Sequence, residues 1–161
     1  MAMPRIATRL NHVAYPTFDT AATVQFYTEV LGFRLVDAVR DEIPPHRFLH
    51  TFFAMESGEI IAFFDILAME KPARDHLPPW VRHLAMSVDS AETLAAWKAR
   101  LESHGVQVRG PVEHDGVWSS IYFQDPNEVM LELTHQSRPL NDADAERAAV
   151  LVAEWTSRPR A

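Results

Sequence analysis

The chain has 161 residues, one domain's worth, and sets 15 lysines and arginines against 22 aspartates and glutamates for a net charge of −7, so no cationic surface invites nucleic acid. Hydrophobic residues make up 47% and charged residues 23%, the balance of a folding globular chain, and the absence of cysteine excludes disulfides, thiolate zinc sites and a cysteine nucleophile. The longest apolar run, Ala148 to Ala153, is far short of the roughly 20 residues that span a bilayer, and Met1 to Arg9 has no apolar signal-peptide core, so a cytoplasmic protein with no membrane partner is expected.

In chain order, Leu10-Asn11-His12-Val13-Ala14 alternates in the manner of a strand and carries a histidine. Asp19-Thr20 then suits the N-cap of a helix over Ala21 to Leu31, whose Val24, Tyr27, Val30 and Leu31 form one apolar stripe before Gly32 ends it. Strand-like segments follow at Phe33 to Val39, Arg47 to Ala54 and Glu59 to Ile66. Leu67 to Pro79, with Pro72, Pro78 and Pro79, can continue neither helix nor central strand and reads as a linker.

The pattern then repeats. Val81-Arg82-His83-Leu84-Ala85 matches the first segment in character, with the two histidines 71 positions apart (83 − 12). Asp89-Ser90 caps a helix over Ala91 to Ser103 with Leu94, Trp97 and Leu101 on one stripe, Gly105 ends it, and strands follow at Val106 to Val112, Val117 to Phe123 and Val129 to Thr134. Each half is β-α-β-β-β, so the fold class is α+β: residues 1–136 form one domain of two modules, about 8–67 and 80–136, enclosing a mixed-sheet, barrel-like cavity. In the tail, 137–161, Ala148, Leu151, Val152 and Trp155 recur at helical spacing after Asp142 and Asp144, and the amphipathic helix is expected to dock on the body or on a second subunit.

Strand parity singles out three side chains. His12 shares a face with Leu10 and Ala14, His83 with Ala85 and Ser87, and Glu132 with Met130 and Thr134, while Val129, Leu131 and Leu133 take the core face. A strand carboxylate shielded from water needs a cationic partner, and two imidazoles with one carboxylate form a facial triad with open positions that suits ferrous iron and other divalent ions. His12, His83 and Glu132 are therefore the candidate metal ligands. Trp80, Trp118 and Phe63 are expected in the core or the cavity wall.

Two such modules, with histidines on strands one and five and glutamate on strand eight, resemble the vicinal oxygen chelate superfamily, which includes glyoxalase I, methylmalonyl-CoA epimerase, fosfomycin-inactivating enzymes, bleomycin-binding proteins and type I extradiol dioxygenases. Matching Glu59-Ile60 to Glu128-Val129 puts Phe63 where glyoxalases and epimerases have a fourth ligand, with Asp65 two residues on as a substitute. The stretch Val112, His114, Ile121-Tyr122, Asp125-Pro126, Glu132 is similar to the extradiol signature, except that Glu128 stands where that signature has glycine or proline, beside an Asn127 suited to left-handed backbone. The signature's histidine at the start of the fourth strand is also missing near Gly58 and Glu59, leaving His50 or His76 as stand-ins.

The resemblance implies a metal-dependent dioxygenase-like enzyme, most simply one cleaving a catechol-type aromatic diol that chelates Fe2+ through two vicinal oxygens. Mn2+, Zn2+, Ni2+ and Co2+ are the alternative ions. It implies that His114 and Tyr122 are the catalytic residues, bonding to the substrate oxygens, and that the protein is a homodimer. Other chemistry of the same fold, an isomerase, epimerase or lyase of glyoxalase type, or simple small-molecule binding in the cavity, remain the competing readings.

Overall fold

The computed structural model describes residues 10–45, 47–73 and 76–159. The first half runs β1 (His12–Thr17), α1 (Thr20–Gln25), a π-helical turn (Phe26–Val30), β2 (Arg34–Asp41), β3 (Phe48–Ala54) and β4 (Ile60–Ile66). A 3₁₀ turn (Pro79–Val81) leads to β5 (Leu84–Val88), α2 (Ala91–Ser103), β6 (Arg109–His114), β7 (Trp118–Gln124) and β8 (Met130–Gln136), followed by α3 (Asp142–Thr156). The two halves form separate four-stranded sheets of the same order, β1-β4-β3-β2 and β5-β8-β7-β6, with the first strand of each parallel to the last. The expected repeat, α+β class and tail helix are all present.

The caps fall where the sequence places them. The Asp19 carboxylate accepts from the Ala22 N–H at 2.9 Å and the Ser90 hydroxyl from the Thr93 N–H at 3.1 Å. The first helix departs from its regular stripe at Phe26. From there the Leu31 N–H reaches back five residues to the Phe26 carbonyl at 3.0 Å, and this wider turn lets the adjacent Phe26 and Tyr27 both be buried.

One core serves both sheets. It joins Phe26, Tyr27 and Leu31 to Phe53, Ile61 and Phe63 of the first sheet and to Ile121, Phe123, Leu131 and Leu133 of the second, with Leu94 and Leu101 from α2. The sheets therefore turn their inner faces toward shared helices, and their outer faces point away from that core. No helix among the described residues is long and apolar enough to cross a membrane.

A polar latch fixes one half on the other. The buried Asp125 carboxylate accepts from the backbone N–H groups of Asn127 and Val129, both at 2.8 Å, from the Asn127 amide at 3.2 Å and from the Tyr27 hydroxyl at 3.2 Å. The Asn127 amide also donates to Thr23 at 2.9 Å, and its oxygen accepts from the Phe18 N–H at 3.2 Å. Burial raises the Asp125 pKa while these donors pull it down. The Asp125-Pro126 pair of the sequence signature is thus a structural joint.

The tail helix forms as expected, over Asp142–Thr156. Asn141 and Asp144 form a capping box, and Arg138 grips the Asp144 carboxylate with both terminal nitrogens, at 2.6 and 2.9 Å. Beyond that anchor Leu151, Val152 and Trp155 are 56%, 62% and 65% exposed, so the apolar face does not dock on the body of its own chain. Of the two expected partners, the body of the same chain is thereby set aside, and the second subunit remains.

Replacing Asp125 with alanine strands four donors at the joint between the halves. We expect Asp125→Ala to lower unfolding free energy by about 3 kcal/mol in urea titration at neutral pH, whereas an exposed control such as Glu56→Ala should change it by less than about 0.5 kcal/mol.

Candidate active site

Cross-strand register defines the outer face of the second sheet. Glu132 on β8 lies between Ala85 of β5 and Tyr122 of β7, and Tyr122 in turn faces Arg109 of β6. His83, one residue before β5, shares the parity of Ala85 and closes over the same spot. Its Nε2 stands 2.8 Å from Glu132 Oε2, and Glu132 is only 6% exposed. This is the sequence-expected carboxylate, shielded and facing away from the core.

The other imidazole nitrogen decides the chemistry. His83 Nδ1 is 3.0 Å from the Trp80 carbonyl, which can only accept, so Nδ1 carries the proton and Nε2 presents its lone pair toward a carboxylate unless it too is protonated. Two acceptors meeting head-on require a proton or a cation between them. Adjacent ligand atoms about 2.1 Å from a divalent ion stand about 3 Å apart, so the observed contact suits a shared metal as well as a shared proton. The donor set therefore fits the ion that the sequence pattern calls for.

Tyr122 extends the group. Its hydroxyl is 2.8 Å from His114 Nε2, its strand position faces Glu132, and its ring meets that of His83 edge-on with centroids 5.9 Å apart. Burial first, and then the Glu132 charge, raise the Tyr122 pKa, so the phenol keeps its proton at neutral pH. His83, Trp80, His114, Tyr122, Arg109 and Met130 border one cavity of about 1010 Å³, large enough for a small organic molecule. Trp80, 63% exposed, stands at this rim, whereas Phe63 is core.

His12 is elsewhere. It stands on the outer face of the first sheet, where its ring meets Phe52 at 6.4 Å, and among the described residues no group of three or more histidines, aspartates and glutamates gathers closely enough to hold an ion. Within one chain His83 and Glu132 come together while His12 stands apart on the other sheet, because the outer faces point away from the shared core; the sequence leaves open whether the three residues meet within one chain or across two. His12 is nonetheless oriented as His83 is. Its Nδ1 donates to Asn11 Oδ1 at 2.7 Å, which leaves Nε2 free for a ligand.

The surroundings of His12 are aromatic. His50 stacks on Phe64 with ring centroids 3.6 Å apart and lies tilted against Phe52 at 4.1 Å, and its Nε2 is buried without a partner among the described residues. Burial, with a smaller contribution from His12, lowers the His50 pKa and keeps the ring neutral. His76, the other expected stand-in, is exposed in the linker.

Two further sequence readings are revised. His12 pairs with Ile60 and Leu84 with Leu131, so Glu132 has its repeat equivalent at Ala62, not Phe63. The outer face of β4 presents Ile60, Ala62 and Phe64, none a ligand, while Asp65 points inward and accepts from Thr20 at 2.6 Å. In the turn before β8 the left-handed residue is Glu128 itself, with φ of 66°, and not Asn127. What sequence reasoning missed is the pair of groups that orient the imidazoles. Asn11, beside its histidine, could have been suspected, but the Trp80 carbonyl carries no side-chain signal.

With this geometry in hand, the comparisons place the chain. Residues 9–133 match the model of the Glyoxalase/Bleomycin resistance protein/Dioxygenase superfamily, and the chain belongs to that family. It is 30% identical over 128 residues to biphenyl-2,3-diol 1,2-dioxygenase 3 of Rhodococcus globerulus, covering 80% of this chain but only 63% of that protein's length. It is 28% identical over 126 residues to metallothiol transferase FosB of Bacillus licheniformis, covering 77% and 73%. Among solved structures it is similar to the fosfomycin resistance protein FosX of Listeria monocytogenes, in complex with Mn(II) and sulfate, at TM-score 0.60 and 18% identity over 82% of this chain and 95% of that one. Of these relatives, one is a metallothiol transferase and one was solved with Mn(II) bound.

In metal-free protein, His83→Ala should cost about 1–2 kcal/mol in urea unfolding at pH 7, because it leaves a shielded carboxylate unpaired. Glu132→Gln supplies an amide N–H to the Nε2 lone pair, so its stability should match or exceed that of the parent.

Proposed function

We propose that the protein is a metal-dependent dioxygenase of the extradiol type, acting on an aromatic diol at a site built from two copies of the chain. The observation that carries this reading is the 2.8 Å meeting of His83 Nε2 with a shielded Glu132 carboxylate beside the Tyr122 and His114 pair. His83 and Glu132 would hold the ion from one chain, and His12 from a second copy would complete the triad. A homodimer brings the outer face of one first sheet onto the outer face of the other copy's second sheet, and twofold symmetry makes two equivalent sites.

When bound, the ion, Fe2+ in this reading, supplies Lewis-acid polarisation of two substrate oxygens and one-electron chemistry toward dioxygen. The chain's own residues do the rest. The Trp80 carbonyl and Asn11 hold the two imidazoles in the tautomer that leaves Nε2 free. The Tyr122 hydroxyl, kept protonated, donates to a substrate oxygen, and His114 Nε2 fixes its position. His50, neutral and with an unpartnered nitrogen on the His12 face, is the imidazole available to take a diol proton in place of the missing strand-four histidine. Phe52 and Phe64 beside it would wall the site against water.

A second reading draws on a specific departure. With no histidine at Gly58 or Glu59, redox ring cleavage lacks its usual proton handler, and the likeness to FosB favours thiol addition to a small phosphonate epoxide at the same ligands. The reaction itself separates the two, since ring cleavage consumes dioxygen with a catechol and thiol addition consumes an added thiol without it.

The test is metal content by elemental analysis after anaerobic purification, with oxygen uptake on catechols. His12→Ala and Glu132→Ala should each lose the ion while remaining folded. Mixing the two variants after subunit exchange should restore about one quarter of the parent metal content, since half of the dimers are mixed and each mixed dimer regains one of two sites. A site contained within one chain would regain none.

A further inference from the structure

The cavity beside Tyr122 carries a cation that no described side chain pairs with, the Asp125 carboxylate on the same border being held by the donors of the joint. Arg109 is exposed at the cavity border, and among the described residues no side chain forms an ion pair or hydrogen bond with its guanidinium, in a chain with seven net negative charges. Its charge is felt at the Tyr122 hydroxyl, so it lies in the electrostatic field of the candidate site. An unpaired arginine at the mouth of a ligand cavity is a point of recognition for an anion.

The backbone is built to aim it there. Arg109 pairs with Tyr122 and Val112 with Ser120, so three steps on β6 match two on β7, and the extra residue is a bulge. In a regular strand Arg109 and Val112 would point to opposite faces. The bulge puts both on the cavity side, together with His114. Gly110 is required for it: φ is 116°, and an added Cβ would lie 2.6 Å from the Ser120 carbonyl oxygen. Lys98 of α2 locks the bulge by donating from Nζ to the Gly110 carbonyl at 2.8 Å.

The remaining border is mixed, with Gln107, Gln124 and Asp125 beside an apolar wall. Trp80, Val108, Val112, Phe123 and Met130 line the same cavity. Cation and apolar wall together describe a molecule with an unsaturated or aromatic body and an anionic substituent some distance from its metal-binding oxygens. We infer that Arg109 is a specificity-determining residue that selects substrates bearing a carboxylate on an aromatic diol, the dihydroxybenzoate class. This inference rests on the reading of the cavity as the substrate site.

The experiment is isothermal titration of the full chain with 3,4-dihydroxybenzoate, catechol and propylphosphonate, in metal-loaded protein and again in excess chelator. The parent should bind dihydroxybenzoate about five- to tenfold more tightly than catechol. Arg109→Gln should erase that difference without weakening catechol, and Arg109→Lys should keep part of it. Near-equal affinities in the parent, a preference that survives Arg109→Gln, or no dihydroxybenzoate binding at millimolar concentration would each overturn the inference. Propylphosphonate bound as tightly as dihydroxybenzoate and in an Arg109-dependent way would overturn the aromatic body. A carboxylate preference that persists unchanged in chelator would uphold the Arg109 role while contradicting the metal-centred reading, so the two fail separately. The urea midpoint of Arg109→Gln, expected to match the parent, shows that the fold is intact.

Discussion

Everything functional in this molecule turns on a carboxylate that should not be where it is. Glu132 occupies a mid-strand position almost sealed from water, and a charge there is sustained only by a positive partner. His83 is that partner at 2.8 Å, yet its other nitrogen is already committed to the Trp80 carbonyl. Neutral imidazole and ionised carboxylate cannot both rest in that geometry without something positive between them. A proton satisfies the pair in the bare protein, and a divalent ion would satisfy it with coordination positions to spare.

The fold explains why the third residue is distant. The inner faces of both sheets are spent on a single core around Tyr27, Phe53, Phe123 and Leu131, with the Asp125 joint fastening the halves. Each outer face is left to find its complement elsewhere. The first sheet offers His12 and an aromatic wall, and the second offers the acid, an imidazole and a phenol. In the proposed homodimer a second copy would supply to each what it lacks. The tail helix, anchored at Asp144 but with Val152 and Trp155 uncovered, is a further apolar surface on the chain.

Much of this was legible in the sequence, and the exceptions have physical causes. Periodicity and the paired His12 and His83 segments revealed two β-α-β-β-β modules, because local patterning is written residue by residue. Parity placed Glu132 off the core face, and Tyr122 entered through the signature resemblance. The equivalence of Glu132 in the first module slipped by one residue, to Phe63 in place of Ala62, since similar letters at Glu59 and Glu128 do not occupy the same register. A slip of one reverses the face of every side chain on a strand. How the modules face one another depends on contacts distant in sequence, such as Tyr27 with Asp125, which no local pattern records. The bulge at Gly110 was likewise hidden, because it appears only as a mismatch of register between two strands.

The central claim is that two imidazoles and one carboxylate share one ion, with the imidazoles supplied by different chains. X-ray absorption at the metal edge, on protein loaded with one equivalent of Fe2+ per chain under anaerobic conditions, examines that coordination sphere directly. The account requires scattering from two imidazole rings, together with nitrogen or oxygen neighbours at about 2.0–2.2 Å. It also requires that this imidazole-containing sphere be lost, together with the bound ion, in His12→Ala and in His83→Ala. A sphere with no imidazole signature, or one unchanged by His12→Ala, would contradict it.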